Sequence, residues 1–166
     1  MTRVGCYPGT FNPLTVAHVA VAEAGRDTGS LDRVDLVVSV EALGKPGTTS
    51  DEFGRRLDLL RAAVAPVDWL GLAVTEHRLI VDIADGYDVV IMGADKWRQV
   101  NDPAWYDDEV AGRDAAVARL PRVLVAPRGD DEPDDVELLA VDRVHRRVSS
   151  SAIRSGHPDA QSWLAP

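Results

Sequence analysis

Short β-branched runs alternate along this chain with longer segments of helical spacing. Val4 to Cys6 is the first run, and Val34 to Val40 (VDLVVSV) reads as a buried strand. Trp69 to Val74, Tyr87 to Met92 and Pro121 to Ala126 repeat the pattern, and Val136 to Val141 is a short sixth run. Helical segments fill the intervals. Thr15 is placed as the cap of an alanine- and valine-rich helix. Ser50 caps a second helix from Asp51 to about Ala65, with Leu57, Leu60 and Val64 on an apolar stripe and Pro66 as its stop. His77 to Ala84, closed by Gly86, is a short third. Asp107 to Leu120, Ser149 to Ser155 and the tail to Pro166 hold the later ones. This alternation predicts an α/β fold, a doubly wound parallel five- to six-stranded sheet with helices on both faces. No repeat or linker interrupts it, so residues 1–166 are read as a single domain.

Ligands of such sheets bind beyond the carboxyl ends of the strands, where the strand order reverses. Tyr7–His18, Lys45, Gly93–Lys96 and Pro127–Arg128 all follow predicted strands and are expected to converge there. Charge narrows what binds. A net charge of −9 argues against broad contact with nucleic-acid phosphates, though not against a small phosphorylated ligand. Lys45 and Lys96, the two lysines beside sixteen arginines, are expected in ligand-contacting loops. No apolar run approaches the roughly eighteen residues that span a bilayer, and the N-terminus carries no signal-peptide pattern. The single cysteine, Cys6, excludes an intramolecular disulfide and is expected in the core. A cytoplasmic protein without a membrane partner is the expectation. The acidic stretch Asp130–Asp135 reads as a solvated turn, and no residue set is assigned to a protein-held metal.

Two segments carry the chemistry. Tyr7-Pro8-Gly9-Thr10-Phe11-Asn12-Pro13-Leu14-Thr15-Val16-Ala17-His18 joins a strand, a Gly/Pro turn and a helix start. Backbone N–H groups and the positive end of a helix dipole meet there, with Thr15 and His18 on one helix face. Val148-Ser149-Ser150-Ser151-Ala152-Ile153-Arg154 sets serines and a second helix start before a guanidinium. Gly9, Phe11, Pro13, Thr15 and His18 resemble the G-x-F-x-P-x-[HT]-x-x-H signature of the nucleotidyltransferase superfamily. Ser149–Arg154 resembles its late S-S-[ST]-x-x-R signature. Asn12 stands where an aspartate is usual and Ala17 where a glycine is usual. The resemblance implies a Rossmann-like α/β fold. It also implies transfer of AMP from ATP, accompanied by Mg²⁺, to a phosphorylated small-molecule acceptor with release of pyrophosphate. Catalytic roles are implied for His18, Thr15, Lys45 and Arg154. ATP contacts are implied for Gly9, Thr10, Phe11, His18, Gly93, Asp95, Ser149, Ser150, Ser151 and Arg154. Homo-oligomers are usual in that superfamily, so self-association is an expectation with no interface assigned.

For the acceptor the two halves lean apart. The first segment is similar to the Y-P-G-T-F-D-P-x-T-x-G-H of phosphopantetheine adenylyltransferases. Gly93-Ala94-Asp95 resembles the G-A-D of nicotinate- and nicotinamide-mononucleotide adenylyltransferases, and Val123–Gly129 resembles their strand and R-P-G-type turn. A pyridine mononucleotide is taken as the acceptor, giving a dinucleotide in NAD biosynthesis, with Thr10, Lys45, Lys96, Trp97, Trp105 and Arg128 as its contacts. Trp97 and Trp105 would stack on the ring; packing at a helix–sheet seam is their alternative. Phosphopantetheine is the alternative acceptor. A non-catalytic nucleotide-binding protein of the same fold is the alternative of another class, and use of CTP in place of ATP a weaker one.

Overall fold

The computed structural model describes residues 1–41 and 50–166. Six parallel strands form one sheet: β1 Val4–Pro8, β2 Arg33–Ser39, β3 Leu70–Thr75, β4 Val89–Gly93, β5 Arg122–Ala126 and β6 Glu137–Leu138. Their order is β3-β2-β1-β4-β5-β6, so the direction of winding reverses between β1 and β4. Around the sheet lie α1 Val16–Gly29, α2 Ser50–Val64, α3 Ile80–Ile83, α4 Ala94–Val100, α5 Val110–Ala118, α6 Arg143–Arg146, α7 Ser150–Arg154 and α8 Ala160–Trp163, with a 3-10 turn at Pro103–Tyr106.

Side-chain alternation sorts the core into two layers. Val89 and Ile91 of β4 enter a cluster with Val21 and Ala22 of α1 and Leu57 and Leu60 of α2. Val90 and Met92 face the other way, into a cluster with Ile83, Ala94, Trp97 and Val100. Because both faces are covered, the central strands read as unbroken apolar runs. Each fully buried branched side chain contributes roughly 1.5–3 kcal/mol, so this sheet is a stiff platform for whatever sits at its carboxyl edge. Cys6 lies in the second cluster, and burial pushes its thiol pKa up.

Several expected elements change. The helix at His77–Ala84 contracts to α3. The Ser39 hydroxyl donates to the His77 carbonyl at 2.6 Å and the His77 N–H donates to Thr75 Oγ1 at 3.1 Å, which holds the approach to Leu79 extended. Ser50, expected as a cap, is the first residue inside α2. Within Asp107 to Leu120 the expected helix is α5, Val110–Ala118; Asp107 and Asp108 before it both take positive φ, at 57° and 59°. β6 is two residues long rather than six. A helix not foreseen, α4, starts directly at the end of β4, so Lys96 is helical and not in a loop. Lys45 and most of the loop around it lie outside the described residues.

Candidate active site

Beyond β1 the chain turns through Gly9 to Thr15. The Gly9 N–H donates to the Val37 carbonyl of β2 at 3.1 Å, so this amide ties the turn to the sheet and is not offered to an anion. A Cβ at position 9 would lie 2.8 Å from the Phe11 ring, which explains glycine there. Phe11 is buried, takes φ 45° and sits edge-on to both Tyr7 and His18, at 5.2 and 5.1 Å between centroids. A bulky residue in that backbone region marks a turn held by its surroundings.

Thr15 and His18 form a reciprocal cap on α1. The His18 N–H donates to Thr15 Oγ1 at 3.2 Å, and the Thr15 N–H donates to His18 Nδ1 at 3.0 Å. Histidine takes the place that Glu or Gln fills in a capping box. With the Nδ1 lone pair occupied, the neutral ring carries its proton on Nε2. Burial, reinforced by the Arg128 charge, lowers the His18 pKa to about 4. The ring is therefore neutral near pH 7 and keeps one N–H, on Nε2, for a ligand.

The late serine segment comes to the same place. Ser149 caps α7 by accepting from the Ala152 N–H at 3.0 Å. The Ser150 hydroxyl donates to the Pro13 carbonyl at 2.7 Å, across 137 residues of sequence. Arg154 donates to the Asn12 carbonyl with one nitrogen and to Ser151 Oγ with another. Ala17, Val148 and Trp163 form a small apolar cluster that joins one residue from beside each motif to the tail. Ser150 thus fastens the two segments, and its O–H is committed to that bond. Ser149 and Ser151 accept through their oxygens and retain their own O–H groups.

Between these segments lies a cavity of about 230 Å³. Gly9, Thr10, Phe11 and His18 line it from the first turn, Gly93, Asp95 and Lys96 from the end of β4, Arg128 from beyond β5, and Ser149 to Ser151 and Arg154 from the second motif. His145 and Arg146 of α6 also line it, and nothing in the periodicity of the sequence singled them out. Lys96, Arg128, Arg146 and Arg154 face a single lining carboxylate among the described residues, Asp95, which pairs with Arg128 at 3.8 Å. Arg146 is in turn paired with Glu132, and these four of the chain's eighteen Lys and Arg side chains line one cavity.

A second cavity of about 90 Å³ adjoins the first. Pro8, Gly9, Thr10 and Lys96 line both. Trp105, Tyr106, Leu79 and Ile80 give it aromatic and aliphatic walls, and Arg78 and Gln99 give it polar ones. Trp105, one of the two expected ring contacts, lines this cavity. Trp97 does not. Its side chain packs in the second core cluster and its indole N–H donates to Asp135 at 3.0 Å, so the expected ring contact is corrected to a core role. The reason is helical phase: Lys96 and Gln99 of α4 line the second cavity, Trp97 turns into the core, and Val100 borders both.

Among the described residues, no three His, Cys, Asp or Glu side chains gather as a metal-binding group. Mg²⁺ needs no such cage, since it binds through phosphate oxygens and water with at most one or two carboxylates. Among the described residues Asp95 is the one carboxylate lining the larger cavity, and it would be the side chain to hold a Mg²⁺ arriving on a triphosphate. No helix among the described residues is long and apolar enough to cross a membrane.

Residues 6–156 match the family model described as cytidylyltransferase-like. A Gloeobacter violaceus protein named "Probable nicotinate-nucleotide adenylyltransferase" is 33% identical over 76 residues, covering 46% of this chain and 37% of its own length. A Methylococcus capsulatus phosphopantetheine adenylyltransferase is 38% identical over 95 residues, covering 56% of this chain and 55% of its own length. The matches thus span about a third and about half of these relatives. The structure of a Plasmodium falciparum nicotinic acid mononucleotide adenylyltransferase complexed with NaAD superposes with TM-score 0.68 at 13% identity, over 100% of this chain and 92% of that one, which shows a shared fold. The chain belongs to the cytidylyltransferase-like family of nucleotidyltransferases.

Proposed function

We propose that this member of the cytidylyltransferase-like family is an adenylyltransferase that moves AMP from ATP to a pyridine mononucleotide. The observation that carries the reading is the larger cavity: a neutral histidine at a helix start sits at the switch point of the sheet among four lining cations, of which Arg128 is paired with Asp95 and Arg146 with Glu132. That is a site for a polyanion. The smaller, partly aromatic cavity meets it at Thr10 and Lys96, where an acceptor phosphate would face the α-phosphorus.

In this reading an acceptor phosphate oxygen attacks the α-phosphorus of MgATP. The new P–O bond forms as the bond to the bridging oxygen breaks, and pyrophosphate leaves. No protein nucleophile is required. Alignment of the two phosphates and neutralisation of growing charge supply the catalysis. His18 donates Nε2–H to an α-phosphate oxygen, and Thr15 fixes its tautomer. Lys96, at the junction of the cavities, holds the phosphates between which the bond forms. Arg128, Arg154 and the free O–H groups of Ser149 and Ser151 receive the leaving pyrophosphate. Mg²⁺ supplies further charge neutralisation on the triphosphate.

Pyrophosphate release measured with ATP and with CTP, against nicotinate mononucleotide, nicotinamide mononucleotide and 4′-phosphopantetheine, tests the proposal. Turnover with ATP and a pyridine mononucleotide is expected, and no turnover with either pyridine acceptor rejects it. One observation favours phosphopantetheine as a second acceptor. The Tyr7–His18 segment is similar to that branch, and a relative of that name aligns over more than half of the chain. Formation of dephospho-coenzyme A would decide for it.

A further inference from the structure

The proposed function leaves open how the smaller cavity tells an acid from an amide on the pyridine ring, and its lining speaks to that. Among the described residues no carboxylate lines it, although the chain carries 27 acidic residues. Its charged lining side chains are Arg78 and Lys96. Gln99 also presents a donor, because its Oε1 already accepts from Lys96 Nζ at 3.0 Å, which leaves the amide NH₂. The Tyr106 hydroxyl donates to the Val100 carbonyl at 2.9 Å, so its proton is committed there and its ring is what the residue adds to the wall. The walls therefore suit a planar ring, while the polar side chains mostly give hydrogen bonds. A ring carboxylate finds partners here. A ring carboxamide meets the Thr10 and Ser39 hydroxyls, which can accept from its NH₂, but it carries no charge for Arg78 to pair with.

We infer that Arg78 is the specificity-determining residue of the acceptor cavity and reads a carboxylate on the pyridine ring. Lys96 lines both cavities and serves the phosphates, whereas Arg78 lines the smaller one. Among the described residues its charge partner is Glu41, with the Nε to Oε2 distance at the outer limit of an ion pair, 4.0 Å, and both side chains more than half exposed. A pair of that kind is weak. The planar guanidinium thus remains available for the paired hydrogen bonds a carboxylate accepts. Arg78 sits just before Leu79 and Ile80, in the extended stretch pinned by Ser39 and Thr75, so the cation is carried on a fixed piece of backbone.

This inference rests on the pyridine-mononucleotide reading, and one experiment separates the two. Initial rates of pyrophosphate release are measured at saturating ATP with nicotinate mononucleotide and with nicotinamide mononucleotide, for wild type, Arg78→Met and Arg78→Lys. Wild type is expected to prefer the acid. Arg78→Met is expected to lower the acid-to-amide ratio of kcat/KM by about tenfold or more, as loss of a forked contact does, with KM for ATP unchanged. Arg78→Lys should fall between the two. Because Arg78 is exposed, the variants fold, and thermal melts verify it. An unchanged ratio in Arg78→Met overturns the inference while leaving the proposed reaction intact. Wild type that turns over neither acceptor overturns both.

Discussion

His18 is set by its place in the helix before any ligand arrives. As the third residue of α1 it accepts the Thr15 N–H through Nδ1, and Thr15 Oγ1 returns the favour to the His18 N–H. That exchange fixes the tautomer, and burial holds the pKa at about 4 against an ordinary value of 6.5. The sign follows from linkage. A ring neutral in the folded state contributes stability that is present above pH 6.5 and lost as the pH falls from 6.5 towards 4. His18→Gln keeps the capping box, since Gln is a usual residue at that position, but removes the titration. Stability measured by denaturant melts should fall between pH 6.5 and 4 in wild type, by up to roughly 3 kcal/mol, and should be flatter in the variant. Turnover in His18→Gln should drop about 10²–10³-fold, the usual cost of one donor to developing charge, with ATP affinity little changed. In wild type the His18 ring signal should titrate near 4, well below the ordinary histidine value of 6.5. Thr15 is nearly inaccessible, at 1% exposure. Thr15→Val removes the acceptor of the His18 N–H and should cost about 1–2 kcal/mol, seen as a lower melting temperature, whereas Thr15→Ser should retain most of it.

At the scale of elements, α1 lies against the sheet at Gly25, where an added Cβ would run into the Cδ1 and Cγ1 of Ile91 on β4. Gly25→Ala should overpack that seam by about 1–3 kcal/mol and shift the helix whose first turn carries His18. A fall in kcat/KM alongside the melting temperature checks it; a melting loss with unaltered kinetics would mean that α1 gives way without moving its N-terminus. The strands were the most legible elements, because two-sided burial leaves runs such as VDLVVSV and YDVVIM that only a covered parallel sheet requires. Both phosphate-directed segments were legible too, since a turn and two caps have local chemical signatures. What the sequence hid was helical phase and helix onset. Trp97 reads from the sequence as a stacking ring, with packing at a helix–sheet seam as its alternative; it lies one residue, about 100° of helix, beyond Lys96, and its indole packs in the core. α3 was overlong in prospect because tertiary bonds from Ser39 to His77 outcompete its first turn. His145 and Arg146 reach the larger cavity through the path of the chain after β6, which no local pattern reports.

For the molecule as a whole, the site is a closure between distant parts of the chain. The first turn and the serine segment meet through Ser150 and Arg154 on the Pro13 and Asn12 carbonyls. The tail holds that meeting from behind. Trp163 packs on Ala17 beside His18 and on Val148 beside Ser149, and His157 stacks on its indole at 4.3 Å. Leu164 bridges to Thr15 and the Ala165 N–H donates to the Leu14 carbonyl at 3.2 Å. Ala17, which differs from the glycine usual in related segments, supplies a methyl to this cluster. Trp163 itself lines neither cavity, so a change there acts only through the position of the two motifs. Trp163→Ala removes a large buried ring and should cost about 3 kcal/mol, lowering the melting temperature by roughly 6–12 °C for a chain of this size. If the tail couples the motifs, ATP affinity measured by calorimetry well below the new melting point should fall too, because His18 and Arg154 would no longer be held at one separation. A melting loss with wild-type ATP affinity would show that Ser150 and Arg154 suffice to hold the cradle, and would reduce the tail to a stabilising strap.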